Sequence, residues 1–123
     1  MTGPARENAP GLGREPFVQV VRMEASVGEG AALLATLETA ADAARSETGT
    51  LAYVIHRDIH NPDVLWIYES YANEQARDLH SDSAATAALR QAVTGLLGEP
   101  TTVHRMIACA GFGVTANDLH KGK

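Results

Sequence analysis

The sequence has a single cysteine, Cys109, among 123 residues. An intramolecular disulfide is therefore impossible, and a cysteine-rich zinc site is excluded. A reduced, cytoplasmic setting is the expectation that follows. Cys109 stands in the apolar run from Met106 to Ala110, so it is expected to be a buried structural thiol rather than a nucleophile. Positive charge is also short: ten Lys and Arg face fifteen Asp and Glu, for a net charge of −5. A general binder of nucleic acid or of anionic membranes needs a basic face, so neither is an expected partner. A neutral or aromatic small ligand is not excluded. No segment is apolar over the length needed to cross a membrane, and the N-terminus lacks the apolar core of a signal peptide. There is no HExxH metal motif and no GxSxG nucleophile elbow. Gly11-Leu12-Gly13 precedes no helix, so it is not a phosphate loop.

What is present fits one small α+β domain. Met1 to Pro16 holds three prolines and three glycines outside any periodic pattern. Residues 1–16 are therefore expected to be a flexible tail, 17–112 the domain and 113–123 a second tail. Phe17 to Glu24, rich in Val, reads as a strand. From Ala31 to Ser46, Leu33, Leu34, Leu37, Ala40, Ala41 and Ala44 recur at helical spacing. Gly49 is expected to stop that helix in a left-handed turn. Leu51 to Asp58 and Val64 to Tyr71 read as strands. The turn-forming Ile59-His60-Asn61-Pro62-Asp63 between them makes an antiparallel hairpin. Asn73 caps a short helix through His80. Asp82 or Ser83 caps another that runs to about Leu97 and stops at Gly98 and Pro100. Thr101 to Gly111 is the last strand.

The order β-α-β-β-α-β, with its second helical region broken in two, is the ferredoxin-like pattern with a four-stranded antiparallel sheet. Helices cover one sheet face. The other is not polar, since Val18, Val20, Val54, Trp66 and Tyr68 fall on it by alternation. A face this apolar needs cover, and a second copy packing sheet to sheet supplies it. A homodimer is thus expected from the pattern alone.

The hairpin also gives a register. With the turn centred on His60 to Pro62, the numbers of opposed residues sum to about 122. Tyr53 then faces Glu69, Ile55 faces Ile67 and Leu51 faces Tyr71, all on one face. The set is mainly apolar, with Tyr53, Glu69 and Tyr71 as polar points. A carboxylate on such a face needs a partner, and the following helix offers His80. Tyr53, Glu69 and His80 converging on an apolar cavity make an acid–base constellation. The competing account has Glu69 bonded only to Tyr53 and a helix terminus, and His80 favoured by the helix dipole. His56, His60 and His104 read as surface or interface residues.

The run Ser46-Glu47-Thr48-Gly49-Thr50-Leu51-Ala52-Tyr53 is followed by Arg57-Asp58, Asn61-Pro62, Tyr68-Glu69-Ser70-Tyr71 and His80-Ser81-Asp82-Ser83. In this order and spacing the series resembles the antibiotic biosynthesis monooxygenase (ABM) family, the quinol-monooxygenase-like dimeric α+β barrels, over about Phe17 to Gly111. The resemblance implies a two-sheet dimer barrel with a pocket between the sheet and helices of each subunit. It implies oxygenation of a quinol, phenolic or polyketide-like aromatic by O2 with no cofactor, whether metal, flavin or haem. The family's Tyr, Glu and His fall on Tyr53, Glu69 and His80. His80 is then the base, Glu69 its orienter or a proton relay, and Tyr53 a donor to the substrate oxygen. Leu51, Ile55, Ile67 and Tyr71 would line the cavity; Arg57 and Asn61, near the turn, either neutralise an anionic substrate at its mouth or serve the turn as structural residues. Haem-degrading relatives place a tryptophan where His80 lies and a histidine where Arg90 lies, so haem ligation is not supported. Other relatives are isomerases, and fold alone does not select the reaction. The alternatives are a non-oxidative enzyme using the same trio and a binding protein with no chemistry.

Overall fold

The computed structural model describes residues 13–113. Pro16 leads into β1 (Phe17–Glu24), followed by α1 (Gly30–Ala44), β2 (Thr50–Arg57) and β3 (Val64–Tyr71). Two short helices, α2 (Glu74–Ser81) and α3 (Ala84–Val93), precede β4 (Thr102–Met106). The sheet order is β2-β3-β1-β4, with every pairing antiparallel. This is the expected ferredoxin-like α+β fold. Parts of residues 1–16 and 113–123, read as tails, lie outside the described residues.

Alternation along the strands and the 3.6-residue period of the helices meet in one core. Leu33 and Leu37 of α1 and Val93 of α3 pack on Val21, Leu65 and Ile67 of the sheet, with Ala25 beside them. The helix α1 has no side-chain cap from Glu29. Its first turn is held from across the fold instead: Asp63, in the β2–β3 loop, accepts from the amides of Gly28 (3.0 Å) and Gly30 (2.9 Å). Gly30 is required for this approach, because a Cβ there would lie 2.2 Å from the Pro62 carbonyl oxygen.

Four local expectations are corrected. Gly49 does not adopt a positive φ. Its missing Cβ instead lets α2 come close, since a Cβ there would stand 2.4 Å from that of Ala76. The helix expected to reach Leu97 ends at Val93. Beyond it the chain turns to meet β1's end, where Ser26 N donates to Leu96 O (2.8 Å) and Gly98 N to Glu24 O (2.9 Å). The last strand stops at Met106, paired with Val18. The ladder with β4 ends there, one residue short of Phe17, the first residue of β1, which pairs only with Tyr71 of β3. Cys109 therefore lies past the strand and is exposed, not buried.

The outer sheet face carries the row Val54, Tyr68, Val20 and His104, paired in that order across four strands. Trp66 lies beside it, with Arg22 over its ring at 5.6 Å. Val54 and Met106 are each nearly half exposed. No helix among the described residues is long and apolar enough to cross a membrane.

Candidate active site

The inner sheet face is apolar except at one level. There the register places Tyr53, Glu69, Gln19 and Arg105 side by side on β2, β3, β1 and β4. Glu69, 5% exposed, accepts two hydrogen bonds on one oxygen. The Tyr71 hydroxyl donates to its Oε1 at 2.5 Å, and Gln19 Nε2 donates to the same atom at 2.9 Å. Arg105 is held by Glu74 and lies over the Phe17 ring.

His80 reaches this level from α2. The Asn73 side chain caps that helix, accepting from Ala76 N at 2.8 Å. Ala76 and His80 share a helix face, being four residues apart. The close approach of Ala76 to Gly49 therefore brings His80 to the start of β2. Its Nδ1 lies 2.7 Å from Glu47 Oε1, and Thr50 Oγ1 donates to the same carboxylate oxygen at 2.7 Å. A carboxylate only accepts, so this bond puts a proton on Nδ1, and in the neutral ring the lone pair is on Nε2. The His80 ring lies 5.9 Å from that of Tyr53 and 5.6 Å from that of Tyr71. Its carbonyl accepts from Ser83 Oγ and Thr86 Oγ1, which ties down the junction between α2 and α3.

Tyr53, Ile67, Glu69 and His80 line one cavity of about 170 Å³, together with Gln19, Arg77, Arg90 and the apolar side chains of Val21, Leu37, Leu89 and Val93. On its other side the Glu47–His80 pair borders an open surface groove. Burial pushes the hydroxyls of Tyr53 and Tyr71 far up, and the charge of Glu69 adds to this, so both stay protonated. Burial also raises Glu69. The Tyr71 hydroxyl, His80, the Gln19 amide and Arg77 pull the other way without overcoming it.

A prediction follows for Glu69→Gln. Because the folded-state value is raised, the native state gains from the bound proton below the unfolded carboxyl pKa, about 4.3. That contribution is lost as pH rises through the folded value. The melting temperature of the variant relative to wild type should therefore climb from about pH 4 to neutral pH. A difference that is flat across this range would contradict the buried-carboxyl account.

Several expected site residues are not brought together. The register holds for Tyr53 with Glu69 and Ile55 with Ile67, but Thr50 rather than Leu51 pairs with Tyr71. A bulge between Thr50 and Ala52 leaves Leu51 unpaired, 47% exposed and away from the cavity. Ile55 packs on the core. Tyr71 is fully buried and does not line the cavity; its hydroxyl bonds Glu69 and its ring lies against that of His80. Arg57 is exposed at the far end of β2. Asn61 is used by the turn, its Oδ1 accepting from Asp63 N at 3.0 Å. The expected contact from Glu69 to orient His80 is made by Glu47 instead. Glu47 sits in a loop with no periodic signal. Gln19 had one, as the single polar residue in the inward series Phe17, Gln19, Val21, Met23.

The family model for antibiotic biosynthesis monooxygenase matches residues 16–92. The chain belongs to the antibiotic biosynthesis monooxygenase family. The matched stretch contains Gln19, Glu47, Tyr53, Glu69 and His80. No curated protein matches the sequence. Among solved structures, Rv0793 from Mycobacterium tuberculosis is 23% identical, with a TM-score of 0.74 over 80% of this chain and 100% of that one. A Nitrosomonas europaea protein bearing the ABM family name is 17% identical, with a TM-score of 0.74 over 80% and 95%. NE2512, a protein of unknown function from the same organism, is 26% identical, with a TM-score of 0.70 over 82% and 97%. These likenesses support the ABM fold and leave the chemistry to be argued from the site.

Proposed function

We propose that this ABM-family chain is a cofactor-independent monooxygenase that oxidises a small quinol or phenol with O2, and that it works as a homodimer. The observation that carries the reading is His80, held at Nδ1 by Glu47 at 2.7 Å and lining a largely apolar cavity with Tyr53 and Glu69. Nε2 takes the phenolic proton while Tyr53 donates to the same oxygen. The phenolate transfers an electron to O2, and the two radicals combine at ring carbon. The resulting hydroperoxide then loses water. For a phenol with a free para C–H the balance is phenol plus O2 giving quinone plus H2O. An apolar cavity favours this by keeping water from the reactive intermediates.

The cavity size narrows the substrate. Sites for drug-sized ligands run to about 300–1,000 Å³, whereas an apolar cavity of about 150 Å³ takes benzene. At about 170 Å³ this one suits one or two rings better than a larger polyketide. Wild-type protein should consume O2 and form hydroxyquinone from a panel of such hydroquinones (hydroquinone plus O2 giving hydroxyquinone plus H2O), with O2 and product in one-to-one ratio and no H2O2 released. Absence of turnover across the panel would count against oxygenation. Product formed under strict anaerobiosis would instead favour the isomerase reading, for which raised Glu69 and His80 supply an acid and a base.

The dimer reading rests on the apolar row of Val54, Tyr68 and Val20. Light scattering at micromolar concentration should give twice the chain mass, and Val54→Asp should shift it to monomer. A monomeric wild type would contradict it.

A further inference from the structure

Two arginines border the cavity, Arg77 from α2 and Arg90 from α3, together with Ser81 and Thr86. On α2, Arg77, His80 and Ser81 fall at positions i, i+3 and i+4 and share a helix face. Arg90 reaches back over the junction of the two helices, where its Nη2 donates to Ser81 Oγ at 3.2 Å. Both cations thus belong to the stretch of wall next to His80. Arg77 is partly buried and Arg90 exposed, which puts them at the side of the cavity toward solvent. Among the described residues no carboxylate lies within ion-pair distance of Arg90; the ion pairs are made by Arg22, Arg45, Arg77, His80 and Arg105. Arg77 has Asp78, at 3.3 Å and more than half exposed, a pair that water screens. The one carboxylate lining the cavity is Glu69, which already accepts from Tyr71 and Gln19. In a chain of net charge −5, this is a local excess of positive charge and not a basic surface. Two like charges on one small cavity repel, and a bound anion replaces that cost with attraction.

We propose that Arg77 and Arg90 form an anion subsite at the cavity that takes the carboxylate of an aromatic acid, with Ser81 holding Arg90 in place. A guanidinium offers paired N–H donors that match the two oxygens of a carboxylate. The ring then passes into the apolar part of the cavity, against Val21, Leu37 and Leu89. The substrate of the site is accordingly a hydroxyarene carboxylate, not a neutral phenol. This assignment rests on reading the cavity as a site for an aromatic ligand, but not on oxygen chemistry.

The test is binding at neutral pH under argon, by calorimetry, of 6-hydroxy-2-naphthoate and its neutral isostere 6-hydroxy-2-naphthamide. Wild type should bind the acid at least about tenfold more tightly, the scale of one charge-assisted hydrogen bond. Added NaCl should shrink this preference, since both arginines stand where ions can screen them. Arg77→Gln and Arg90→Gln should each lower it, and together they should bring it below about twofold, with the amide held as well as before. Equal affinities in wild type, a preference kept in the double variant, or no saturable binding of either compound would each overturn the proposal. If the double variant does not fold, the single variants and the salt dependence of wild type decide, and a preference insensitive to both would overturn the assignment. The pair 2-naphthoate and 2-naphthamide, which lack the hydroxyl, should show the same preference, and equal affinities there would also count against the subsite. Oxygen uptake in air is measured separately on the hydroquinone panel. A preference for the acid without uptake keeps the arginine subsite and removes the monooxygenase reading, while uptake without preference does the reverse.

Discussion

His80→Ala is expected to lower kcat/KM for a one- or two-ring hydroquinone by about 10²–10⁴-fold, the usual contribution of a positioned general base. O2 uptake and hydroxyquinone formation should fall together. The fold should survive, because the His80 side chain lies at the cavity wall and outside the cluster of Leu33, Leu37, Leu65 and Ile67. Circular dichroism and the melting temperature check this point. Added imidazole should restore part of the lost rate, since the deletion leaves room for a free base beside Glu47 and Tyr53. Unchanged turnover in the variant would remove His80 from the chemistry.

Glu47→Ala should have the second largest effect. Glu47 does not line the cavity, so it acts as a positioning residue through His80. Its carboxylate fixes the Nδ1–H tautomer and offsets the charge that appears when Nε2 takes a proton. Without it the ring can rotate or present the wrong nitrogen. The loss should appear in kcat, by about 10–10³-fold, with KM changed little, as for an interaction made mainly in the transition state. Glu47→Gln should fall between wild type and alanine, because an amide oxygen still accepts from Nδ1 but carries no charge. A rise in KM with kcat unchanged would place Glu47 in substrate binding instead. Glu47 and His80 also border an open groove on the side away from the cavity.

Much of the fold was readable because its signals are local. Val-rich alternation marks β1, leucines at helical spacing mark α1, and Asn73 and Ser83 stand at the two later helix starts with side chains that cap them. The hairpin turn is closed by Asp58, which accepts from the amides of His60 and Asn61. With the turn in place, alternation alone put Tyr53 opposite Glu69. Errors began where a residue's state depends on another element. Leu51 was assigned by counting, which a one-residue bulge defeats. The apolar run around Cys109 suggests a continuing strand, but the β1–β4 ladder stops at Val18 and Met106 and the run lies past it.

The site divides along the same line. Tyr53 and Glu69 were placed on one face by strand period, and His80 was associated with them by the family resemblance and the helix that follows β3. Which carboxylate meets His80 was not readable, because Glu47 and His80 lie 33 positions apart. They meet only because Gly49 lets Ala76 approach. The bond from Gln19 to Glu69 spans 50 positions and depends on β1 lying beside β3. The elements, the sheet faces and the hairpin register up to the bulge at Leu51 are legible in the sequence because they follow from periods and turns of a few residues, and the family is legible from the resemblance of its motif series. Only the tertiary structure decided the partners of His80 and Glu69 and the bounds of the cavity. Those depend on close approaches between elements, and no local pattern encodes them.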